Sequence, residues 1–364
     1  MHSLERKQKA KHSTLNTIYL HLTTRCNLNC SFCAIPDRNE KVQELTKFQI
    51  FDLLSEAKEL GTTYVVLIGG EPFLRKDLGE IVKSIISRGF RLGISTNGTL
   101  LNFKSLSWVK YVPSSSYFLG ISLDGAKPFT HNRLRRRKDA FEKTLKGIEI
   151  AYELGIQLTL QTVLQKSNKN ELLDIASIAA KFGADYNVIP DIVPKGAGIH
   201  VKSNKIDIHE ILNKAKELYK YGCSIGIKAQ INLPPALQEP DRFQKSDMAC
   251  YWGKHFCGIL PNGDVAMCHG CDFCNIYHGN LFIAGNIHNQ SLREVWELSK
   301  TFNNLREIDP DNFKGVCGRC VLRKFCRGYC RIRAYLEYGS ILAPDILCQE
   351  AFENNLFPRY MLSG

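Results

Sequence analysis

Between Thr17 and about Pro190 short apolar segments alternate with amphipathic stretches, and this rhythm leaves the chain few architectures. The apolar segments are Ile18–Thr23, Tyr64–Ile68, Arg91–Ser95, Tyr117–Leu123, Gln157–Val163 and Asp185–Ile189. Between them lie stretches with apolar residues three and four apart, as on one face of a helix: Phe48–Leu60, Leu78–Arg88, Ala140–Leu154 and Glu171–Phe182. Gly61, Gly89, Gly155 and Gly183 follow these stretches, where a helix commonly ends on a left-handed residue. Six such repeats predict an α/β fold of parallel strands covered by helices, either an open sheet or a partial (β/α)6 barrel of the TIM type. Sites in such folds gather at the carboxyl ends of the strands.

After Pro190 the rhythm changes. Asp191–Asn204 reads as loop, Asp207–Tyr221 as a helix, and Asn232–Asp247 as irregular. The expected organisation is a basic N-terminal arm (1–16), the barrel (17–200), a helix-containing linker (201–247), a cysteine-rich domain (248–350) and a tail (351–364). No apolar run approaches the roughly 20 residues that span a bilayer. The polar, Lys-rich start has no apolar core of the secretory kind, so a cytoplasmic location without membrane attachment is expected. Of the 14 cysteines only Cys223 stands well apart from a cluster, and clustered thiols in a reducing compartment more often bind metal than form disulfides. The net charge of +12 suits nucleic acid, acidic peptides or anionic cofactors. Its densest run, Arg133, Arg135, Arg136, Arg137 and Lys138, lacks interleaved aromatics, which favours a solvated face or an anion contact over nucleic acid.

The first apolar segment leads directly into Cys26-x3-Cys30-x2-Cys33. Three thiolates on one short loop can hold three corners of a cubane iron–sulfur cluster and leave its fourth iron open to a ligand. Zinc is the bland alternative, but zinc sites usually present paired knuckles that close a tetrahedron, whereas this loop carries a single run of three thiols.

This loop resembles the signature of the radical S-adenosylmethionine (SAM) superfamily, and later segments extend the resemblance. Gly69-Gly70-Glu71-Pro72 follows the second strand, like the family's motif for the methionine amino group. Ser95-Thr96-Asn97-Gly98 follows the third and Ser122-Leu123-Asp124-Gly125 the fourth, where family members contact ribose or carboxylate. The resemblance implies a 4Fe–4S cluster on Cys26, Cys30 and Cys33 that binds SAM and cleaves it reductively. The resulting 5′-deoxyadenosyl radical would abstract a substrate hydrogen. Expected SAM contacts are Gly69, Gly70, Glu71 and Pro72, with Glu71 facing the ammonium; Ser95, Asn97, Ser122 and Asp124; Arg133 or Arg135 at the carboxylate; and Ile189 on adenine.

Toward the C-terminus Cys317-x2-Cys320-x5-Cys326-x3-Cys330-x17-Cys348 follows Cys250 and Cys268, with a hairpin turn expected at Pro261-Asn262-Gly263-Asp264. A zinc ribbon is the alternative. The array resembles the SPASM domain of the same superfamily, as does Gly285-Asn286-Ile287 followed by Ser291–Trp296. The resemblance implies two auxiliary 4Fe–4S clusters. One would use Cys317, Cys320, Cys326 and Cys348; the other Cys250, Cys268, Cys330 and a fourth thiolate, taken as Cys257. Cys271 and Cys274 are extra to the usual pattern and compete for that fourth place. Cys271-Asp272-Phe273 is similar to a stretch of sulfatase-maturing members in which an Asp is the base, making Asp272 a candidate.

The first expectation is a peptide or protein maturase that makes a crosslink, a thioether or an oxidised side chain; the alternative is a dehydrogenase or cofactor-biosynthesis enzyme acting on a small molecule, and the third a non-catalytic iron–sulfur or zinc protein. The ordered strand-end motifs argue against the third. Expected partners are a peptide substrate, a reductant such as flavodoxin or ferredoxin, and a separate leader-binding protein.

Overall fold

A computed structural model describes residues 14–35, 42–239, 250, 252–271 and 279–363. Asp272 and Cys274, most of the basic arm and the end of the linker lie outside the described residues. Seven strands carry the first part of the chain: β1 (Thr17–His21), β2 (Tyr64–Ile68), β3 (Arg91–Thr96), β4 (Tyr117–Ser122), β5 (Gln157–Val163), β6 (Asp185–Ile189) and β7 (Ala229–Ile231). They pair in chain order and in parallel, with Ile18 opposite Val65 and Leu67 opposite Ile94. Helices α1 (Lys47–Glu59), α2 (Leu78–Ser87), α3 (Pro128–Arg135), α4 (Ala140–Glu153), α5 (Leu172–Lys181) and α6 (Ile208–Ser224) lie in the crossovers and after β6.

Local chemistry places these boundaries. Thr46 caps α1 and exchanges hydrogen bonds with Gln49, while Asp207 caps α6 through the Glu210 amide. The four helix-terminating glycines all take positive φ, each one residue beyond its helix cap. Inward residues such as Ile18, Val65, Leu92, Leu119 and Leu160 are essentially inaccessible to solvent, each contributing about 1.5–3 kcal/mol of burial.

The sheet does not stop at β1. Strand β8 (Phe256–Ile259) pairs in parallel with β1, placing Cys257 opposite Ile18. It then turns at Pro261–Gly263 into antiparallel β9 (Asp264–Ala266), followed by β10 (Ile283–Asn286). The order is β10-β9-β8-β1-β2-β3-β4-β5-β6-β7, an open sheet of ten strands. The cysteine-rich segment is thus stitched to the first barrel strand rather than joined only by a linker. Beyond it come α7 (Leu292–Leu298), α8 (Lys300–Glu307), α9 (Gly315–Arg319), α10 (Arg323–Cys326), α11 (Arg331–Tyr338) and α12 (Ile346–Glu353). No helix among the described residues is long and apolar enough to cross a membrane.

Candidate functional site

The loop carrying Cys26, Cys30 and Cys33 leaves the carboxyl end of β1 and is held from three sides. From α3 the Leu134 carbonyl accepts from the Ser31 amide at 2.9 Å, and from the turn just after it Arg137 donates to the Asn27 carbonyl at 3.2 Å. From the loop after β3, Asn97 Nδ2 donates to Asn27 Oδ1 at 2.9 Å and approaches Cys26 Sγ at 3.9 Å. From beyond β6, the Ala197 amide donates to the Cys33 carbonyl at 2.9 Å. Leu28, Cys30, Phe32, Leu134 and Ile192 form a small apolar cluster of their own, against which Cys26 and Cys33 pack. Three thiols are thereby presented on one water-poor patch at the strand ends.

Gly69 and Gly70 lie against the backbone that leads into this loop. A Cβ on Gly70 would stand 2.0 Å from the Arg25 carbonyl oxygen, and one on Gly69, whose φ is +140°, 2.5 Å from that of Thr23. The Gly70 and Glu71 amides donate to those same two carbonyls, at 2.7 and 2.8 Å. The glycines let the β2 turn close on the cysteine loop. The Glu71 carboxylate is fully buried and faces protein, not the open side of the loop. Oε1 accepts from Thr96 Oγ1 at 2.7 Å and from the Phe73 amide at 3.1 Å, and Oε2 from the Asn97 amide at 2.8 Å. Burial raises its pKa, while these three donors and the Arg135 charge oppose the rise. The side chain expected at an ammonium is in this structure a strap between the β2 and β3 turns. Pro72 is buried and opens the turn that follows.

The basic run divides. Arg135 turns inward, is buried, donates from Nη1 to Cys30 Sγ at 3.6 Å, pairs with the fully buried Asp124, and lies over the Phe32 ring. Burial alone would lower the Arg135 pKa, but Asp124 and Cys30 outweigh it and hold it above its ordinary value. Asp124 Oδ1 also accepts from the Val163 amide at 2.8 Å, tying β4 to β5. Arg133 is exposed on the outer side of α3, over Phe129. Of the two arginines expected at a carboxylate, only Arg135 reaches the cysteine loop. Ser95, next to last in β3, and Ser122, last in β4, are half-buried, Asn97 is buried, and Ile189 ends β6 39% exposed.

The later cysteines form two groups. Cys317, Cys320, Cys326 and Cys348 line a single cavity beside Asp345 and Arg323. Burial pushes Cys317 up to about 11; Cys326 is raised by burial and then by Cys317, and Cys348 by burial and then by Asp345 and the neighbouring thiols. Holding four such groups as thiolates takes strong positive charge, which an iron–sulfur cluster supplies, so the donor set fits that group. In the second group Cys250 is raised by burial and then by Cys330 and Cys268, and Cys268 Sγ lies 3.7 Å from Cys271 Sγ. Cys257 stands apart. Gly258, its neighbour in β8, faces the Cys268 backbone, and strand alternation turns Cys257 to the opposite face, where Arg306 is the charged group it feels. Cys271, not Cys257, stands beside Cys268 in the structure.

Residues 20–179 match the Radical SAM superfamily and residues 250–321 the SPASM iron-sulfur cluster-binding domain. The AdoMet-dependent heme synthase of Methanosarcina barkeri is 31% identical over 344 residues, covering 90% of this chain and 94% of the relative. The chain is a radical SAM protein with a SPASM domain. Its similarity extends to the PqqA peptide cyclase of Bradyrhizobium diazoefficiens, 27% identical over 91% of this chain and 85% of that one. Among solved structures, Streptococcus suis SuiB bound to precursor peptide SuiA superposes with a TM-score of 0.76 at 18% identity, over 95% of this chain and 80% of that one.

Sequence reasoning missed what joins the two parts of this radical SAM protein. The Lys195–Ala197 segment touches both: Ala197 binds the Cys33 carbonyl, and the buried Lys195 donates from Nζ to the Gly270 carbonyl at 2.5 Å, inside the Cys268–Cys271 turn. Tyr19 of β1 packs on His269 of the same turn, ring centroids 4.5 Å apart. Burial pushes the Tyr19 phenol up to about 12, helped by Cys250 and Cys268. Val193-Pro194-Lys195-Gly196 reads as ordinary loop; the one signal was a lysine beside a Pro and a Gly at a strand end.

Proposed function

We propose that this radical SAM enzyme oxidises its substrate at the strand-end face, with the electron left after hydrogen abstraction passing to the auxiliary cluster around Cys250, Cys268 and Cys330. The observation that carries the reading is the Lys195–Ala197 segment, which touches the Cys33 backbone at one end and the Cys268–Cys271 turn at the other. When bound, the Cys26/Cys30/Cys33 cluster and SAM supply one-electron reduction and a hydrogen-abstracting radical. The chain's own residues do the positioning. Gly69 and Gly70 let the β2 turn close on the backbone that leads into the loop, the Glu71 strap fixes the β2 and β3 turns, and Arg135 holds Cys30 in register with Asp124. Leu28, Phe32, Leu134 and Ile192 exclude water around Cys30. Asp272 remains the candidate base.

For the substrate we place first a small-molecule precursor of the heme-synthesis kind. The M. barkeri heme synthase shares 31% identity and is covered over 94% of its length, and two further relatives carry the same name. A peptide is the second reading, supported by the PqqA peptide cyclase and by the SuiB fold. The test is anaerobic incubation of the reconstituted enzyme with SAM, reductant and either porphyrin precursors of heme or candidate peptides. Heme formation supports the first reading. A peptide mass loss of about 2 Da, the departure of two hydrogens, moves the assignment to the second. SAM left intact under all conditions overturns the radical reading itself.

A further inference from the structure

The densest positive charge in the sequence, Arg133 to Lys138, lies beside the cysteine loop. Helix α3 ends at Arg135, and the chain turns there through Arg136 in a left-handed conformation, φ +52°. That turn sets Arg133, Arg136 and Lys138 on the surface, while Arg135 points in. Around the same open depression Phe129 is 76% exposed beneath the Arg133 guanidinium. Acidic groups offset only part of this charge: Asp139 pairs with Arg137 at 2.6 Å and with Lys143 at 2.7 Å, leaving Arg133, Arg136 and Lys138 without a carboxylate among the described ion pairs.

The patch has a short connection inward. Arg137, which lines the depression, donates to the carbonyl of Asn27, the residue next to Cys26, and the Leu134 carbonyl one turn earlier holds Ser31, the residue next to Cys30. A protein bound on this patch would sit against residues that grip the backbone of the catalytic thiol loop.

We propose that this face docks an acidic flavodoxin-type electron donor. The inference rests on the reading that Cys26, Cys30 and Cys33 hold a reducible cluster. In the step one electron leaves the anionic flavin hydroquinone, which becomes the neutral semiquinone and keeps its N5 proton. The electron enters the cluster, and no bond is made or broken. Opposite charge steers such an encounter, and the exposed Phe129 in the depression gives it an apolar contact. A single aromatic, Phe129, lines the depression, too few to stack the successive bases of a nucleic-acid strand.

The test is the rate at which reduced flavodoxin becomes semiquinone on mixing with the anaerobic, cluster-loaded enzyme, for wild type and for the double variant Arg136→Glu/Lys138→Glu. Reduction by photoreduced deazaflavin, followed by the electron paramagnetic resonance of the reduced cluster, is the control. At low ionic strength the variant is expected to be slower with flavodoxin by about tenfold or more. The gap should close in 1 M salt, where the screening length falls to about 3 Å. Deazaflavin should reduce both proteins alike. Equal flavodoxin rates at low salt overturn the proposal, as does an unchanged flavodoxin rate together with lost binding of a random oligonucleotide, which makes the patch a nucleic-acid face. If deazaflavin also fails with the charge-reversed protein alone, Arg136→Gln/Lys138→Gln decides. An intermediate flavodoxin rate supports docking, and a wild-type rate refutes it. Failure of deazaflavin to reduce wild type removes the underlying cluster assignment instead.

Discussion

Replacing Glu71 by Gln tests whether this side chain is a strap. In the wild type both carboxylate oxygens face a backbone N–H, which can only donate: Phe73 on Oε1 and Asn97 on Oε2. Gln keeps the shape but puts an NH2 at one of the two positions. Whichever way the amide turns, one buried backbone N–H meets another donor and is left unpaired, which costs about 1–3 kcal/mol. The surviving bonds lose the strengthening that a charged acceptor gives, about another 1 kcal/mol. Together Glu71→Gln should destabilise the fold by about 2–4 kcal/mol. With an unfolding entropy of about 2.1 cal/mol/K per residue over 364 residues, that lowers Tm by about 3–5 °C. Differential scanning calorimetry of the cluster-free protein reads this without SAM present. Thr96→Val removes the 2.7 Å bond to Oε1 and also the acceptor of the Gly98 amide, and should lower Tm similarly, whereas Thr96→Ser should not. In the double variant the losses should be less than additive, since the two partners share one interaction. A Glu71→Gln protein that melts at or above the wild-type temperature would refute the strap and return Glu71 to a role seen only when SAM binds.

Gly70→Ala drives a methyl against the Arg25 carbonyl one residue before Cys26, so iron on the catalytic loop and SAM affinity by equilibrium dialysis should both fall, by about tenfold or more for SAM. Arg135→Leu leaves Asp124 charged, buried and unpaired, a loss of about 3–5 kcal/mol by chemical denaturation; Asp124→Asn added to it should recover most of that, and no recovery would show that the pair itself is not what holds the loop. Cys26→Ala/Cys30→Ala/Cys33→Ala should abolish 5′-deoxyadenosine formation while iron falls only from about 12 to about 8 per chain. Cys271→Ser should lower auxiliary iron more than Cys257→Ser does, and the reverse result would restore Cys257 as the fourth ligand.

The barrel and the catalytic loop were legible because their signals are local. Period-two and period-3.6 patterns, helix-ending glycines and the three-cysteine spacing each act within a few residues, and all six predicted strands recur within two residues at either end. What escaped was long-range. Strand β8 contains Cys257, an attractive ligand on spacing alone, yet its pairing with β1 fixes which face each residue takes. Arg133 and Arg135 look equivalent in sequence, but the end of α3 sends one outward and the other to Cys30. The Glu71 contacts come from β3, some 25 residues on, and no spacing rule announces them. The three-residue β7 is too short to carry a period.

The pairing of β1 with β8 also bears on how the chain is made. Thr17 and its partner Phe256 are separated by 239 residues, so at a synthesis rate of about 5–20 residues per second that edge of β1 waits some 12–48 s for its neighbour. During that interval β1 through β6 can already pair and bury their apolar faces, while the amides and carbonyls of Thr17–Leu20 remain open to any other extended segment. The same interval exposes the loop of Cys26, Cys30 and Cys33 at the end of that unfinished edge, before the Gly270 turn has been synthesised for Lys195 to grip. A nascent chain at this stage is open both to misassociation and to iron–sulfur delivery, and the arrival of β8 closes the first route by covering the strand edge.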